Sequence, residues 1–512
     1  MSTDPDLKEV LWKAADKLRG SVDAAHYRDF VLGLVFLKYV SDSSGDGAFR
    51  VPRGARWADI AAQAHSGTIG ATIDAAMDAV MRANPPLAGV LPKPFGRDEV
   101  DQRRLGELVG LIGDVRFAGH GGDRGQGGRG GQAGRGGQSG KSARDVLGEV
   151  YEYFLEKFAR AEGKRGGEFY TPSSVVKVLV EILEPFKGRV YDPCCGSGGM
   201  FVQAEKFVLS HRGRLDDIAV HGQEANERTW RLAKMNLAVH GISGDLSARW
   251  ADTFYEDAHP ELQADYVLAN PPFNMSDWYR DPGDSRWRFG VPPATNANFA
   301  WIQHIVAKLG PAGTAGVVMA NGSMSSRQSA ERGIRAAMVE ADLVSCVVAL
   351  PGQLFRSTPI PACLWFLDKG KTARNQVLFI DARGMGTMID RTERVFTSAD
   401  IARIAGTYRS WRDGSHSDVP GFCHAAGLDE IRSHDHVLTP GRYVGTAKAT
   451  AGAAGDEPLS DKVERLTKEL FAQFEESARL DQVVRAELAR QDERLDEHLD
   501  GRPGSADGLL DE

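Results

Sequence analysis

The residues that most restrict how this chain can fold are Asn270-Pro271-Pro272-Phe273, set directly after the apolar run Tyr266-Val267-Leu268-Ala269. The run reads as a buried strand. Asparagine, two prolines and an aromatic cannot continue it, because proline lacks the ladder donor and fixes φ. The chain is therefore expected to leave a sheet here through one rigid turn. In open α/β sheets, the carboxyl end of a strand is where ligands sit. The amide of Asn270 and the carbonyls of Pro271 and Pro272 can accept hydrogen bonds from an exocyclic amine, and Phe273 can stack on a planar ring. That set of groups suits a nucleobase amine. By itself, Asn-Pro-Pro is also an ordinary turn signal, so the decision rests on what precedes it.

About 75 residues upstream, Arg189-Val190-Tyr191 reads as a short strand that ends in Asp192-Pro193-Cys194-Cys195-Gly196-Ser197-Gly198-Gly199, with a helix following from about Met200 to His211. Strand, glycine-rich turn and helix make the first unit of a nucleotide-binding α/β sheet. The glycines let backbone approach a ligand closely, and the helix N-terminus offers free N–H groups. The pattern is Gly-x-Gly-x-x-Phe, without the third glycine of a dinucleotide fingerprint, and a tight structural turn would look the same. A second strand, Ile218–Gly222, ends in Gln223-Glu224. Glu224 lies at a distance that one βαβ unit can span, and is placed to accept hydrogen bonds from ribose hydroxyls.

A helix from about Glu227 to His240 leads to a third strand region ending near Asp252, which either meets the adenine of a cofactor or caps a loop. Beyond Asn270, Ala312–Ala320, Leu343–Leu350, Ala362–Leu367 and Val377–Ile380 read as strands, with helices at about 297–309 and 328–341. This alternation implies a mostly parallel sheet whose later strands can pair antiparallel. Asn296, Asn298, Phe299 and Trp301 are read as capping and core residues, or as lining of the site.

The rest of the chain divides by composition. Residues 1–118 read as a helical domain, with Tyr27, Phe30, Val31, Leu34 and Leu37 close to helical spacing on a mostly buried face. Residues 119–141 are a Gly/Arg-rich stretch that cannot bury a core, and read as a flexible linker or as a segment that touches nucleic acid. Gly140-Lys141-Ser142 resembles the end of a phosphate-binding P-loop, but Arg135 stands where the first glycine is required and no apolar strand precedes it. A helix over 143–165 carries Val146, Val150, Phe154 and Phe158 every four residues, and the next is expected to start at Thr171-Pro172 and run to about Glu184. Residues 142–450 form the α/β domain. Residues 451–512 hold a long polar helix, about 459–499, and a tail; its narrow stripes (Val463, Leu466, Leu470, Phe474; Leu480, Val484, Leu488) pack back on this chain or on a partner subunit.

Charge and cysteine content narrow the class. The net charge is −8. A protein that held DNA alone would usually be more basic, so either its basic surface is local or a partner supplies the grip. Five cysteines in 512 residues make no disulfide framework, no CxxC pair marks a zinc site, and no metal is expected. No run is long and apolar enough to span a bilayer and no signal pattern opens the chain, which points to a reducing cytoplasm.

Gly167–Pro172, Asp192–Gly199, Gln223-Glu224 and Asn270–Phe273, in that order, resemble the modification (methyltransferase) subunits of type I restriction–modification systems. Asn296–Trp301, Ala320–Ser326, Leu350–Phe355 and Leu438–Gly445 look like the same family, as do the N-terminal helices. The likeness spans nearly the whole chain, with 119–141 departing from it as an insertion. It implies a Rossmann-like fold that uses S-adenosylmethionine, with an N-terminal helical domain and a C-terminal long helix, making N6-methyladenine in double-stranded DNA. It assigns cofactor binding to Glu168, Phe169, Tyr170, Thr171, Pro172, Ser173, Ser197, Gly198, Gly199 and Glu224, with Asp192 and Gly196 alongside. It further implies a specificity subunit that reads the sequence, a restriction subunit that cuts, and two copies per complex. A stand-alone adenine methyltransferase, a methyltransferase for a glutamine or RNA amine, and a non-catalytic scaffold are the rival readings.

Overall fold

The computed structural model describes residues 8, 9, 12, 24–43, 49–113, 143–162, 170–355, 361–446, 464–475 and 477–482. The Gly/Arg stretch at 119–141, and Glu168 and Phe169, lie outside them. The chain forms two compact units, Met1–Ala447 and Lys448–Glu512.

The first unit opens with helices α1 (Ala24–Asp42), α2 (Trp57–Ala61), α3 (Ile69–Ala83), α4 (Gln102–Gly113) and α5 (Ala143–Glu162). From Val31 to Val40, α1 is buried on nearly every side, as expected of a helix that is apolar all round. It can approach its neighbours closely because Gly33 has no side chain: a Cβ there would lie 2.8 Å from Pro92 Cγ. Val150, Tyr151, Phe154, Leu155 and Phe158 of α5 join the same core.

Next come α6 (Ser173–Leu183), β1 (Gly188–Asp192), α7 (Gly199–Ser210), β2 (Ile218–Gly222), α8 (Glu227–His240), β3 (Gly244–Asp245) and β4 (Ala264–Ala269). These are followed by α9 (Asn298–Lys308), β5 (Leu309–Ala320), α10 (Gly322–Ser325), α11 (Ser329–Glu340), β6 (Val344–Ala349), β7 (Ala362–Asp368) and β8 (Gln376–Asp381). A small ribbon of β9 (Thr387–Met388) and β10 (Arg394–Val395), then α12 (Ser398–Arg412), β11 (Cys423–Gly427) and α13 (Leu428–Ser433), complete the unit.

Among the described residues one sheet runs in the order β11-β8-β6-β7-β5-β4-β1-β2-β3. β1 pairs parallel with β2 on one side and β4 on the other, β4 with β5, and β6 with β8. β7 runs antiparallel between β5 and β6, and β11 antiparallel to β8, so the expected mix of parallel and late antiparallel strands is present. Alternate residues of each strand feed opposite cores. Leu268, Val318, Val348, Leu364 and Ile380 face α6, α7 and α12, whereas Val267, Val317, Val347, Trp365 and Phe379 face α9 and α11. One expectation needs correction. The third strand does not reach Asp252; β3 is only Gly244–Asp245, because Ser247 takes a positive φ of 61° and turns the chain away.

The second unit is described only as helix over 464–475 and 477–482, with Leu466, Leu470, Phe471, Phe474 and Leu480 exposed.

Candidate active site

Strand order reverses between β1 and β4, and the crevice beyond their carboxyl ends is where open α/β sheets bind ligands. The expected residues converge there. Tyr170, Thr171, Asp192, Gly196, Ser197, Gly199 and Asn270 line one narrow cleft, joined by Cys194, Cys195 and Met200, which were not expected as site residues.

The glycine-rich turn is built by its own hydrogen bonds. Asp192 is buried, and its Oδ1 accepts from Cys194 N at 3.0 Å. Cys195 N donates to the Gln223 carbonyl, and Gln223 N to the Asp192 carbonyl, which zips the turn to the end of β2. Gly196 and Gly198 take φ of 55° and 78°, left-handed geometry that glycine adopts without strain. Asn236 of α8 donates to the Ser197 carbonyl at 2.8 Å. Glu224 holds the turn from the other side: Oε2 accepts from Gly196 N at 3.0 Å and Oε1 from Asn226 N at 2.8 Å.

These carboxylates are held where their charge is disfavoured. Burial pushes Asp192 up to about 7, against the opposing bond from Cys194 and with Glu224's charge adding to the rise. Burial also raises Glu224, against its backbone hydrogen bonds. Two carboxyls beside one cleft favour a ligand that carries positive charge there.

The turn after β4 meets this cleft. Asn270 Nδ2 donates to Thr171 Oγ1 at 3.0 Å, which fixes the amide. Its Oδ1 is buried and meets no donor among the described residues. Such an acceptor is costly unless something arrives to satisfy it. Pro271 is buried and Pro272 exposed, and Phe273 is half-buried beside Phe355, their ring centroids 6.3 Å apart. The turn closes at Asn274, whose φ of 53° is unusual for a residue with a side chain. Asn298 pins it: Asn274 N donates to Asn298 Oδ1 at 3.0 Å, and Asn298 Nδ2 to Asn274 Oδ1 at 2.9 Å. Phe299 and Trp301, by contrast, are core residues.

Other expected residues stand apart. Pro172 caps α6 and Ser173 begins it, exposed. Asp252 is exposed and caps a turn, accepting from Phe254 N and Tyr255 N at 2.7 and 3.2 Å, although Ala251 N binds the Glu224 carbonyl and so ties this loop to the cleft wall. Composition and spacing give no warning of the loop's underside. There Arg286 donates to the Thr253 and Phe254 carbonyls and meets His304 Nδ1 at 3.0 Å, while Tyr191 contacts His304 Nε2 at 3.2 Å. Burial and the Arg286 charge push His304 down to about 3, so it stays neutral. The bond from Asn270 to Thr171 was equally hidden, because its partners lie 99 positions apart.

A family model described as N-6 DNA Methylase matches residues 142–451. The chain belongs to the N-6 DNA methylase family. A model of the HsdM N-terminal domain matches residues 7–112. The type I restriction enzyme HindI methylase subunit of Haemophilus influenzae is 45% identical over 420 residues, which cover 81% of this chain and 91% of that protein. The MjaIX methylase subunit of Methanocaldococcus jannaschii is 33% identical over 527 residues, covering 93% and 90%. The solved type I restriction–modification methyltransferase subunit from Streptococcus thermophilus superposes with a TM-score of 0.71 at 25% identity, covering 86% of this chain and 99% of that one. N-6 DNA methylases are S-adenosylmethionine-dependent methyltransferases, and this one acts on adenine in DNA as the methylase subunit of a type I system.

Proposed function

We propose that the cleft at the ends of β1 and β4 binds S-adenosylmethionine beside a flipped adenine, and that Asn270 Oδ1 receives the adenine N6 amine. The observation that carries this is the Asn270 amide: its Nδ2 is committed to Thr171, and its Oδ1 is buried without a donor among the described residues. The cofactor fits the donors present. Asp192 and Glu224 disfavour their own charge, and a cationic ligand would relieve them. Gly199 opens to free space, where a Cβ would meet nothing within 4 Å. Glu168 to Ser173, Ser197 to Gly199, Gly196 and Glu224 form the proposed cofactor shell, with Asp252 toward its adenine. When bound, S-adenosylmethionine supplies a methyl group on a positively charged sulfur.

The chain's own residues do the rest. Taking adenine out of the duplex costs about a few kcal/mol, and stacking on Phe273 returns roughly 1–3 kcal/mol. Asn270 Oδ1 and the Pro271 carbonyl accept hydrogen bonds from the N6 amine. This draws N6 toward tetrahedral geometry and frees its lone pair. The methyl that the cofactor would supply would leave its sulfur as a neutral thioether, the S–C bond breaking as the N–C bond forms, and N6 would then lose one proton to water, so positioning and electrostatics would lower the barrier without a strongly shifted base.

Type I methylase subunits act on DNA in complexes with specificity and restriction subunits, and we place two copies of this chain in such a complex, in the cytoplasm. No helix among the described residues is long and apolar enough to cross a membrane. The test is Asn270→Ala in the assembled enzyme. Methyl transfer is expected to fall by about 10²–10³-fold, the scale of losing one preorganised polar group, while S-adenosylmethionine still binds. Wild-type turnover in that variant would refute the assignment.

A further inference from the structure

Away from the cleft, at the far edge of the sheet, three residues with metal-binding side chains meet from three different elements. His221 lies on β2, Asp245 on β3 and His259 in the connection to β4. His221 and Asp245 are register partners in the parallel β2–β3 pair, so they stand side by side. One ring nitrogen of each histidine and one oxygen of Asp245 all lie within 4.8 Å of one another. No spacing motif marks them in the sequence.

Hydrogen bonds to His259 and Asp245 each leave one ligand atom over. His259 Nε2 donates to the Gly222 carbonyl at 2.9 Å, which leaves its Nδ1 as the free nitrogen. That Nδ1 faces Asp245 Oδ2 at 3.8 Å, too far for a hydrogen bond. Asp245 Oδ1 is held by Ser247 N at 3.0 Å, so Oδ2 is the oxygen left to act. His221 Nδ1 is buried and has no hydrogen-bond partner among the described residues. A ligating histidine whose second nitrogen donates to a backbone carbonyl, and a carboxylate itself held by a hydrogen bond, are the usual supports of a metal site.

A second group of histidines and carboxylates shows the contrast. His416 pairs with Asp418 at 3.0 Å, and His424 uses both ring nitrogens, on Asp418 at 2.7 Å and Glu430 at 3.0 Å. Those nitrogens are already satisfied by carboxylates. In the His221 group, His221 Nδ1 makes no hydrogen bond among the described residues, and His259 Nδ1 stands 3.8 Å from Asp245 Oδ2.

We propose that His221, Asp245 and His259 bind one divalent transition-metal ion of the zinc type. Two imidazoles and a carboxylate suit zinc, cobalt or nickel better than calcium or magnesium, which prefer all-oxygen shells. In a tetrahedral zinc site, neighbouring ligand atoms stand about 3.3 Å apart. The 3.8 Å between His259 and Asp245 closes with a few tenths of an ångström of movement, and the widest of the three separations, within 4.8 Å, with up to about 1.5 Å; Asp245 has room to move because its side chain is 61% exposed, whereas that of His259 is 6% exposed. The exposed side also gives the ion its way in, and leaves the fourth position to water. A bound ion would tie the end of β2 to β3 and to the loop before β4. Glu224 and Asp252 are held on these segments, so the ion would stiffen the cofactor wall without touching the cofactor.

Zinc and cobalt binding to the purified full chain tests this, and it needs no methyl transfer. Wild-type protein is expected to bind one Zn²⁺ more per chain, by equilibrium dialysis, than His221→Ala. Co²⁺ should give visible d–d absorption of tetrahedral strength in wild type that the variant lacks. Asp245→Asn changes an exposed side chain and so keeps the fold; it should weaken the Co²⁺ site by at least tenfold. Added Zn²⁺ should raise the melting temperature of wild type and not of Asp245→Asn. Equal metal counts and affinities in wild type and both variants, or no binding by wild type, would overturn the proposal.

Discussion

Asp192 shows what a single residue contributes to this site. Its carboxyl is fully enclosed, and burial, reinforced by the Glu224 charge, pushes it up to about 7 from an ordinary value near 3.8. The sign follows from linkage. A carboxyl whose folded value is raised contributes stability that is present in full below the ordinary value and is lost as pH rises through about 7. Above that pH the free protein carries a buried anion. A cationic ligand favours the anion, so S-adenosylmethionine binding is expected to strengthen as pH rises through 7 and to release a proton. Calorimetry in two buffers of different ionisation heat, across pH 6 to 8, reads that proton directly. Asp192→Asn should bind with no such release. Identical proton counts in the two proteins would remove Asp192 from the account. Residues of this kind were legible in the sequence because Asp192, Glu224 and Asn270 all stand at strand ends, where chemistry and position coincide. Asp252 also looked like a strand end, yet it caps a turn, because a positive φ at Ser247 cannot be read from a serine.

At the scale of an element, α8 joins the two parts of the first unit. Trp230, Ala233 and Leu237 pack into the core under the sheet, whereas Leu232, Met235 and Val239 pack into the core of the N-terminal helices. One helix therefore carries two apolar stripes, offset by two positions, and is polar only between them. Met235→Ala empties a fully buried position and should cost about 2–5 kcal/mol. Thermal unfolding should show a transition lowered by several degrees, and an unchanged melting temperature would mean that the helical part is not stabilised through this face. The limits of α8 could be read from Asn226, whose side chain accepts from Thr229 N, and from Gly241, which ends the helix at a φ of 58°. The ribbon of β9 and β10 could not, since two-residue strands leave no periodicity to detect. Helix α12 was missed for a different reason. Its start signal is present, Thr397 and Asp400 forming a reciprocal cap, but β11, the sheet strand that follows it at Cys423–Gly427, carries no apolar run to frame it. His221, Asp245 and His259 mark the limit of sequence reading, because the β2–β3 register brings the first two together and the fold of the loop before β4 brings the third.

At the scale of the whole molecule, charge and architecture raise the same question. The chain carries a net charge of −8, and DNA affinity comes largely from neutralising phosphates with Lys and Arg. A fold of this kind can hold a cofactor and an extruded base without holding a duplex tightly. The second unit presents Leu466, Leu470, Phe471, Phe474 and Leu480 to solvent along its helix, apolar surface of a kind that associating proteins cover. Both features fit a subunit that obtains its DNA from a partner. Methyl transfer from labelled S-adenosylmethionine to unmethylated DNA, with and without the specificity subunit, separates the alternatives. The label should appear as N6-methyladenine in the mixture and remain at background with this chain alone. The dependence on salt should follow the specificity subunit, because most phosphate contacts would be made there. Turnover by the isolated chain would mean that it grips DNA despite its charge. A local basic surface would then have to lie within the chain itself, and the Gly/Arg stretch at 119–141 would be the first segment to delete.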